Sequence, residues 1–251
     1  MRPVSRRRIL SSAGGFALAS GAGLTGAPSA PASRKLKVIV TGGHPGDPEY
    51  GCGGVIARYA DAGHEVILLY LNHGEGAAFG GTPEELAALR TAEAAKACEI
   101  LHARPVNAGH IDGKAIIDPP HYDAFRKILE AERPDVVFTQ WPIDNHSDHR
   151  AISTLVYDAY VRMGRKFALY FYEVSNGADT MMFSPDEYVD ISAVEPRKRA
   201  ACYAHASQSP DRFYALQDQV ARFRGLECGC ARAEAFIRHV QSPVGLLPSG
   251  R

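Results

Sequence analysis

The sequence predicts an α/β protein, a three-layer α/β/α sandwich around a Rossmann-like, mostly parallel sheet. Three observations carry that expectation. Apolar, β-branched runs alternate with segments of helical periodicity from residue 36 onward. Some runs, such as Val66-Ile67-Leu68-Leu69-Tyr70-Leu71, are apolar throughout, as strands buried on both faces are. The first strand, helix and second strand also fit within about 30 residues, the span of a right-handed crossover unit.

The elements follow in order. Leu36-Lys37-Val38-Ile39-Val40 reads as a strand that stops at Gly42-Gly43, a turn signal. A helix is expected from Gly53 to Ala62, closed by Gly63 in the position that favours glycine. The all-apolar run Val66–Leu71 is the second strand. Pro83 to Leu101 is a long helix with Thr82 as N-cap and Glu84 and Glu85 in its first turn. A short strand near Val106 precedes a helix from about His121 to Glu132. Asp135-Val136-Val137-Phe138-Thr139 is a buried strand ending before Gln140-Trp141-Pro142. A helix starts close to Asp148, and Phe167 to Val174 forms a further strand. In such sheets, ligands bind beyond the carboxyl ends of the strands. Two loops qualify: His44-Pro45-Gly46-Asp47-Pro48-Glu49 and Asp144-Asn145-His146-Ser147-Asp148-His149.

The 251 residues suffice for one sizeable domain, and 45% hydrophobic with 22% charged residues argues against disorder. No run of about 18 apolar residues suggests a stable membrane span. Residues 1–32 read as a twin-arginine-type signal peptide, and residues 33–251 as the single domain. Arg6-Arg7-Arg8 opens the signal, an Ala/Gly/Leu-rich stretch follows, and Ala30-Pro31-Ala32 offers a small-x-small cleavage pattern. The expected destination is periplasmic or extracellular; a disordered basic tail is the plainer alternative. Removing residues 1–32 takes away four arginines and no acidic residue, which leaves 24 basic against 28 acidic residues, a net charge of −4. That balance disfavours nucleic acid as a partner. The five cysteines do not form a regular disulfide framework, and Cys228-Gly229-Cys230 is their one close pair.

His44 and Asp47 from one loop and His149 from the other make a two-histidine, one-carboxylate set. Catalytic zinc commonly uses such a set with an open position for water. The same donors suit iron(II), cobalt or manganese, so the expected cofactor is Zn2+ with Fe2+ or another divalent metal as alternatives.

The same residues carry a resemblance. The stretch His44-Pro45-Gly46-Asp47-Pro48-Glu49-Tyr50-Gly51-Cys52-Gly53-Gly54 is similar to the His-Pro-Asp-Asp-Glu motif and glycine cluster of the PIG-L/LmbE-like de-N-acetylases. His146-Ser147-Asp148-His149 resembles their His-Pro-Asp-His motif, and His205-Ala206-Ser207-Gln208 is a lesser echo. The resemblance spans roughly Leu36 to Phe236. It implies a metal-dependent hydrolase that removes an N-acetyl group from an N-acetylglucosamine-type or related amide, with metal-bound water as nucleophile. His44, Asp47 and His149 would hold the metal. His146 would stabilise the oxyanion or protonate the leaving amine, held by Asp148. The expected partner is a small amino-sugar conjugate. Arg90 is a candidate substrate contact, or else a helix-surface ion pair with Glu93. Trp141 could stack on a sugar face or simply pack.

One position departs from the family pattern. The family's general base is the first aspartate of its first motif, and that position is Gly46 here. Loss of a general base typically costs about 10²–10⁴ in rate. A bound metal can still lower the pKa of its water to roughly 7. Glu49 is the nearest replacement in sequence; its plainer role is a helix N-terminal carboxylate. Two other readings compete. The glycine turn before His44 could belong to a dinucleotide site, but the acidic residue expected at the end of the second strand is missing. A catalytically impaired metal- and carbohydrate-binding homologue is the stronger rival, because of Gly46. Substrate choice would fall to the rim loops Ala77 to Thr82 and Asn107 to Pro120.

Overall fold

The computed structural model describes residues 34–76 and 80–248. The expected export signal lies outside those residues, as do positions 77–79 of one rim loop. Seven strands form one sheet: β1 (Lys37–Gly42), β2 (Glu65–Tyr70), β3 (Arg104–Asn107), β4 (Val136–Gln140), β5 (Ala168–Tyr172), β6 (Glu187–Asp190) and β7 (Ala233–Arg238). Six α-helices accompany them: α1 (Asp47–Asp61), α2 (Pro83–Leu101), α3 (Pro119–Glu132), α4 (Ser147–Arg162), α5 (Glu195–Ala204) and α6 (Pro210–Cys228). The spatial order is β3-β2-β1-β4-β5-β7-β6. The first five strands pair in parallel, and β7 pairs antiparallel with both β5 and β6.

Side chains alternate across the sheet and divide the core into two faces. Val38, Val40, Leu68 and Phe138 pack with residues of α1, α2, α5 and α6. Ile39, Ile67, Leu69 and Val137 pack with residues of α3 and α4. The three-layer expectation therefore holds. Among the described residues, no helix is long and apolar enough to cross a membrane.

Two differences from the sequence reading matter for the site. Helix α1 begins at Asp47, six residues before its expected start, and runs through Gly51, Gly53 and Gly54. Glycine inside a helix costs roughly 0.5–1 kcal/mol relative to alanine. Packing explains why it stands there: a Cβ at Gly51 would run into Tyr172 of β5, and one at Gly54 into Ile191. The glycine cluster lets the helix that carries Asp47 sit close against the sheet. The second difference is the C-terminal third, which adds β6, α5, α6 and β7 after the last expected strand. There β7 is pinned by Glu234, which accepts from the backbone N–H of Gly54 (2.8 Å) and Val55 (2.7 Å) and from Lys198 Nζ (2.6 Å).

Strand order reverses between β1 and β4, the neighbours from which the chain winds outward in both directions. The crevice outside that point receives the loop after β1 and the loop after β4, as the rule for open α/β sheets requires.

Candidate active site

A cavity of about 330 Å³ opens at this crevice, and His44, Asp47, Arg90, Asp112, His146 and His149 are among its lining residues. The loop after β1 is folded back on itself. The His44 N–H donates to Asp47 Oδ2 (2.8 Å), so the first helical carboxylate faces the histidine three residues before it. The loop after β4 ends with His146 as the N-cap of α4, its Nδ1 accepting the Asp148 N–H at 3.2 Å. His149, three residues on, lies on the same helix face, and the two rings stack with centroids 4.7 Å apart. Gln140 Oε1 at the end of β4 accepts the Gly43 N–H at 2.8 Å and ties the loops together.

Asp47 Oδ2 lies 3.2 Å from His44 Nδ1 and 3.2 Å from His149 Nε2. Ligands about 2.0–2.1 Å from a tetrahedral zinc lie roughly 3.3 Å from one another. The donor types therefore suit a divalent metal, and two of the trio's three spacings match one. Among the described residues, the groups whose donor atoms all lie within 4.8 Å of one another are His44 with His146 and His149, and His44 with Asp112 and Asp148; Asp47 belongs to neither. Outer partners orient the donors. Asp144 Oδ1 sits 3.0 Å from His149 Nδ1 and also accepts the His146 N–H (2.8 Å), while its Oδ2 accepts from Thr180 Oγ1 (3.0 Å). A carboxylate on the far nitrogen of a ligating histidine fixes its tautomer and raises its basicity.

The electrostatics follow from crowding of acids and imidazoles. Burial acts to lower the His44 pKa, but Asp112, Asp148 and Asp47 outweigh it and raise it well above the ordinary value. His149 is likewise opposed by burial, yet Asp47 and Asp144 raise it to about 9. Asp47 is held well below the usual carboxylate range because its two histidines overcome its burial. His146 moves the other way: burial, then the charge on His44 and His149, lower its pKa.

The expected site residues separate into two groups. His44, Asp47, His146, His149 and Arg90 all line the cavity. Arg90 is buried and donates to the carbonyls of Pro45 (2.6 Å) and Gly74 (3.1 Å), not to Glu93, which instead binds Ser207. Three expectations need correction. Asp148 does not hold the His146 ring; its Oδ2 accepts from Asn72 Nδ2 and the Gly113 N–H (both 2.8 Å) and lies 3.3 Å from His44 Nε2. Neighbours in a helix project about 100° apart, so Asp148 at the second helical position points away from the 146/149 face. Glu49 lies behind the cavity wall with no exposure, its oxygens taken by the Gly46 N–H (3.1 Å), Tyr70 Oη (2.7 Å) and His205 Nε2 (3.0 Å). It is an N-terminal carboxylate reaching back over its own helix start. Trp141 packs edge-on against Phe171 and Phe183, outside the cavity lining.

Gly46 has φ +109° and ψ −40°, a conformation that side chains strongly disfavour. The departure at this position is thus in the backbone as well as in the missing carboxylate.

Three acidic residues were missed. Asp144 sits in the recognised loop, five residues before His149, and its spacing was the available signal. Asp112 arrives from the loop after β3, its Oδ1 3.2 Å from His44 Nε2, and Asp179 from the loop after β5. Asp179 is placed by its neighbours: its carbonyl accepts the Asn145 N–H at 2.9 Å, and Thr180 bridges to Asp144. Burial, despite nearby His149, raises the Asp179 pKa, whereas His44 outweighs burial at Asp112 and lowers it to about 2.

Residues 39–160 match the family model described as PIG-L, GlcNAc-PI de-N-acetylase. Among solved structures, the conserved protein TT1542 from Thermus thermophilus is 32% identical over 86% of this chain and 99% of its own, with a TM-score of 0.72. The N,N'-diacetylchitobiose deacetylase from Pyrococcus horikoshii is 24% identical over 81% of this chain and 84% of its own, TM-score 0.72. A 4-carboxy-2-hydroxymuconate hydratase from Pseudomonas putida is 21% identical over 84% of this chain and 100% of its own, TM-score 0.73. The last two share the fold, and their different chemistries leave the reaction to be argued from the site itself.

Proposed function

We propose that this chain, which belongs to the PIG-L family, is a metal-dependent hydrolase that removes the N-acetyl group of an amino-sugar conjugate. The observation that carries this reading is the donor trio of His44, Asp47 and His149, with Asp47 Oδ2 at 3.2 Å from each histidine, in the lining of a cavity. When bound, a divalent metal supplies Lewis acidity and acidifies water. Zinc suits the donors, and iron(II) remains compatible with them.

The chain's own residues supply the rest. Asp144 occupies Nδ1 of His149 and leaves Nε2 free toward Asp47. His146 accepts a backbone N–H at Nδ1, so its neutral tautomer carries the proton on Nε2. Its lowered pKa keeps that neutral form available at pH 7. A neutral imidazole donor suits the oxygen on which charge develops during amide hydrolysis. Of the carboxylates lining the cavity, Asp47 faces both histidines and Asp112 is held strongly ionised. Asp179 has the raised pKa that a proton acceptor needs, and we assign it the role left open by Gly46.

The glycine at position 46 favours one second reading, a metal- and carbohydrate-binding homologue with little turnover. One experiment separates them: amine release from a panel of N-acetylglucosamine conjugates, with added zinc and with chelator. Zinc-dependent release supports the hydrolase, and bound metal without release from any conjugate refutes it. Export by the twin-arginine route belongs to the same proposal. Replacing Arg6, Arg7 and Arg8 by lysine should retain the protein in the cytoplasm, and unchanged fractionation would count against it.

A further inference from the structure

Cys228, Gly229 and Cys230 lie at the end of α6, far from the sequence motifs of the cavity, and the proposed reaction makes no use of them. Helix α6 ends in a tight turn: the N–H groups of Gly229 (2.8 Å) and Cys230 (2.9 Å) both donate to the Gly225 carbonyl. Gly229 takes the left-handed conformation, φ +81° and ψ 32°, that terminates many helices. This turn folds the two cysteine side chains to the same side, and their Sγ atoms stand 3.4 Å apart. Cys228 is exposed and Cys230 half-buried, whereas Cys52, Cys98 and Cys202 are buried in the core. Solvent thus has access to two of the five thiols, and those two are neighbours.

The surroundings decide what such a pair can do. Cys228 Sγ otherwise approaches the Gly225 carbonyl (3.8 Å), and Cys230 Sγ the Arg232 carbonyl (3.2 Å). Among the described residues, neither cysteine belongs to a group of three or more side chains able to hold a metal. A structural zinc site needs four such ligands. A disulfide needs only the two sulfurs, brought from 3.4 Å to about 2.05 Å by small rotations about the side-chain torsions.

We propose that Cys228 and Cys230 form a reversible dithiol–disulfide site that exchanges with small-molecule disulfides and thiols. The more exposed Cys228, as thiolate, attacks one sulfur of an external disulfide and expels the first thiolate. Cys230 then attacks Cys228 Sγ in the mixed disulfide, loses its proton to solvent, and expels the second. Two protein thiols are oxidised to one S–S bond, and one external disulfide is reduced to two thiols. Burial, then the bond to Cys228 and the nearby charge of Asp190, push the Cys230 thiol upward, so it stays protonated until the first step is complete. A disulfide closed across one residue, at an exposed turn, belongs to the labile class that reducing thiols reopen.

The full chain, folded and loaded with metal, is incubated with oxidised glutathione, blocked with an alkylating reagent and digested with trypsin. Both cysteines fall in the peptide of residues 225–232, between Arg224 and Arg232. The expected product is that peptide lighter by two hydrogens and free of alkylation, restored to two alkylated thiols by reduced glutathione. Cys230→Ser should instead accumulate a glutathione adduct on Cys228, whereas Cys228→Ser, left with the protonated Cys230 thiol, should form its adduct far more slowly. Two adducts on the unsubstituted chain, or two alkylated thiols after oxidation, would overturn the proposal. A zinc ion retained by the pair, and lost in both serine variants, would overturn it as well. None of these outcomes depends on the reaction assigned to the cavity.

Discussion

Substituting Gly46 separates backbone strain from missing chemistry. At φ +109° and ψ −40° an alanine carries a torsional cost of about 1–3 kcal/mol. A Cβ there meets nothing closer than Tyr50 Cε2 at 3.6 Å, so steric clash adds little. Loss of glycine's freedom in the unfolded chain returns roughly 0.4–1 kcal/mol. Gly46→Ala should therefore lose about 1–2 kcal/mol, which lowers Tm by roughly 2–8 °C in a domain of this size. Gly46→Asp carries the same strain and adds a charge beside Asp47 and Glu49. It should melt lower than the alanine variant without metal, and the gap should narrow once metal is bound. Calorimetry of the three proteins, with and without zinc, measures each term. Turnover reads the chemistry: if a carboxylate is what the site lacks, the aspartate variant gains rate and the alanine variant does not. A Gly46→Ala protein that melts at or above the parent temperature would refute the strain argument, because the loop would then accept an ordinary residue.

Further outcomes concern the donors, pH and the proposed proton acceptor. Asp144→Asn should weaken metal binding about 10–100-fold in competition with a chromophoric chelator, whereas His149→Ala should abolish binding and activity together; retained metal in the alanine variant would sink the ligand assignment. The metal-free protein should lose stability as pH rises from about 6.5 through 9, because the raised His149 pKa contributes stability below the unfolded value that is lost on deprotonation. Metal must displace that same proton, so the Tm gain on adding zinc should grow over the same range, and a pH-independent gain would contradict it. Asp179→Asn should cut turnover by roughly 10²–10⁴ while metal content stays unchanged, and an undiminished rate would show that another group accepts the proton.

Much of the parallel half of the fold was legible because β2 and β4 are apolar on both faces and α2 carries an ordinary start signal, whereas α1, capped by Gly46, does not. Thr82 caps α2, and the helix runs from Pro83 to Leu101 as its sequence implies. The C-terminal third was opaque for a physical reason. Strand β6 has four residues of which only Val189 is buried, and β7 carries a buried charge, Glu234 paired to Lys198, so neither shows the apolar run that marks a strand. The cavity was half legible on the same grounds. His44, Asp47, His146 and His149 lie beside the switch point, where strand order alone brings two loops together.

Which carboxylate serves which imidazole could not be read from adjacency. Asp148 stands between His146 and His149 in the chain yet meets His44 across the crevice, and Asp144 takes His149. Helical geometry dictates this exchange, since residues 146 and 149 share a face and residue 148 does not. The same logic removes Glu49 from the chemistry. Once the chain turns through Gly46 with a positive φ, the Gly46 N–H points back over the helix start and needs an acceptor there. Glu49 at the third helical position satisfies it, and with Tyr70 and His205 on its other oxygen it has no face left for the cavity. Glu49 is thereby removed as a proton acceptor, which is why the proposed role passes to a carboxylate from a different loop, Asp179, which lines the cavity and whose pKa burial raises.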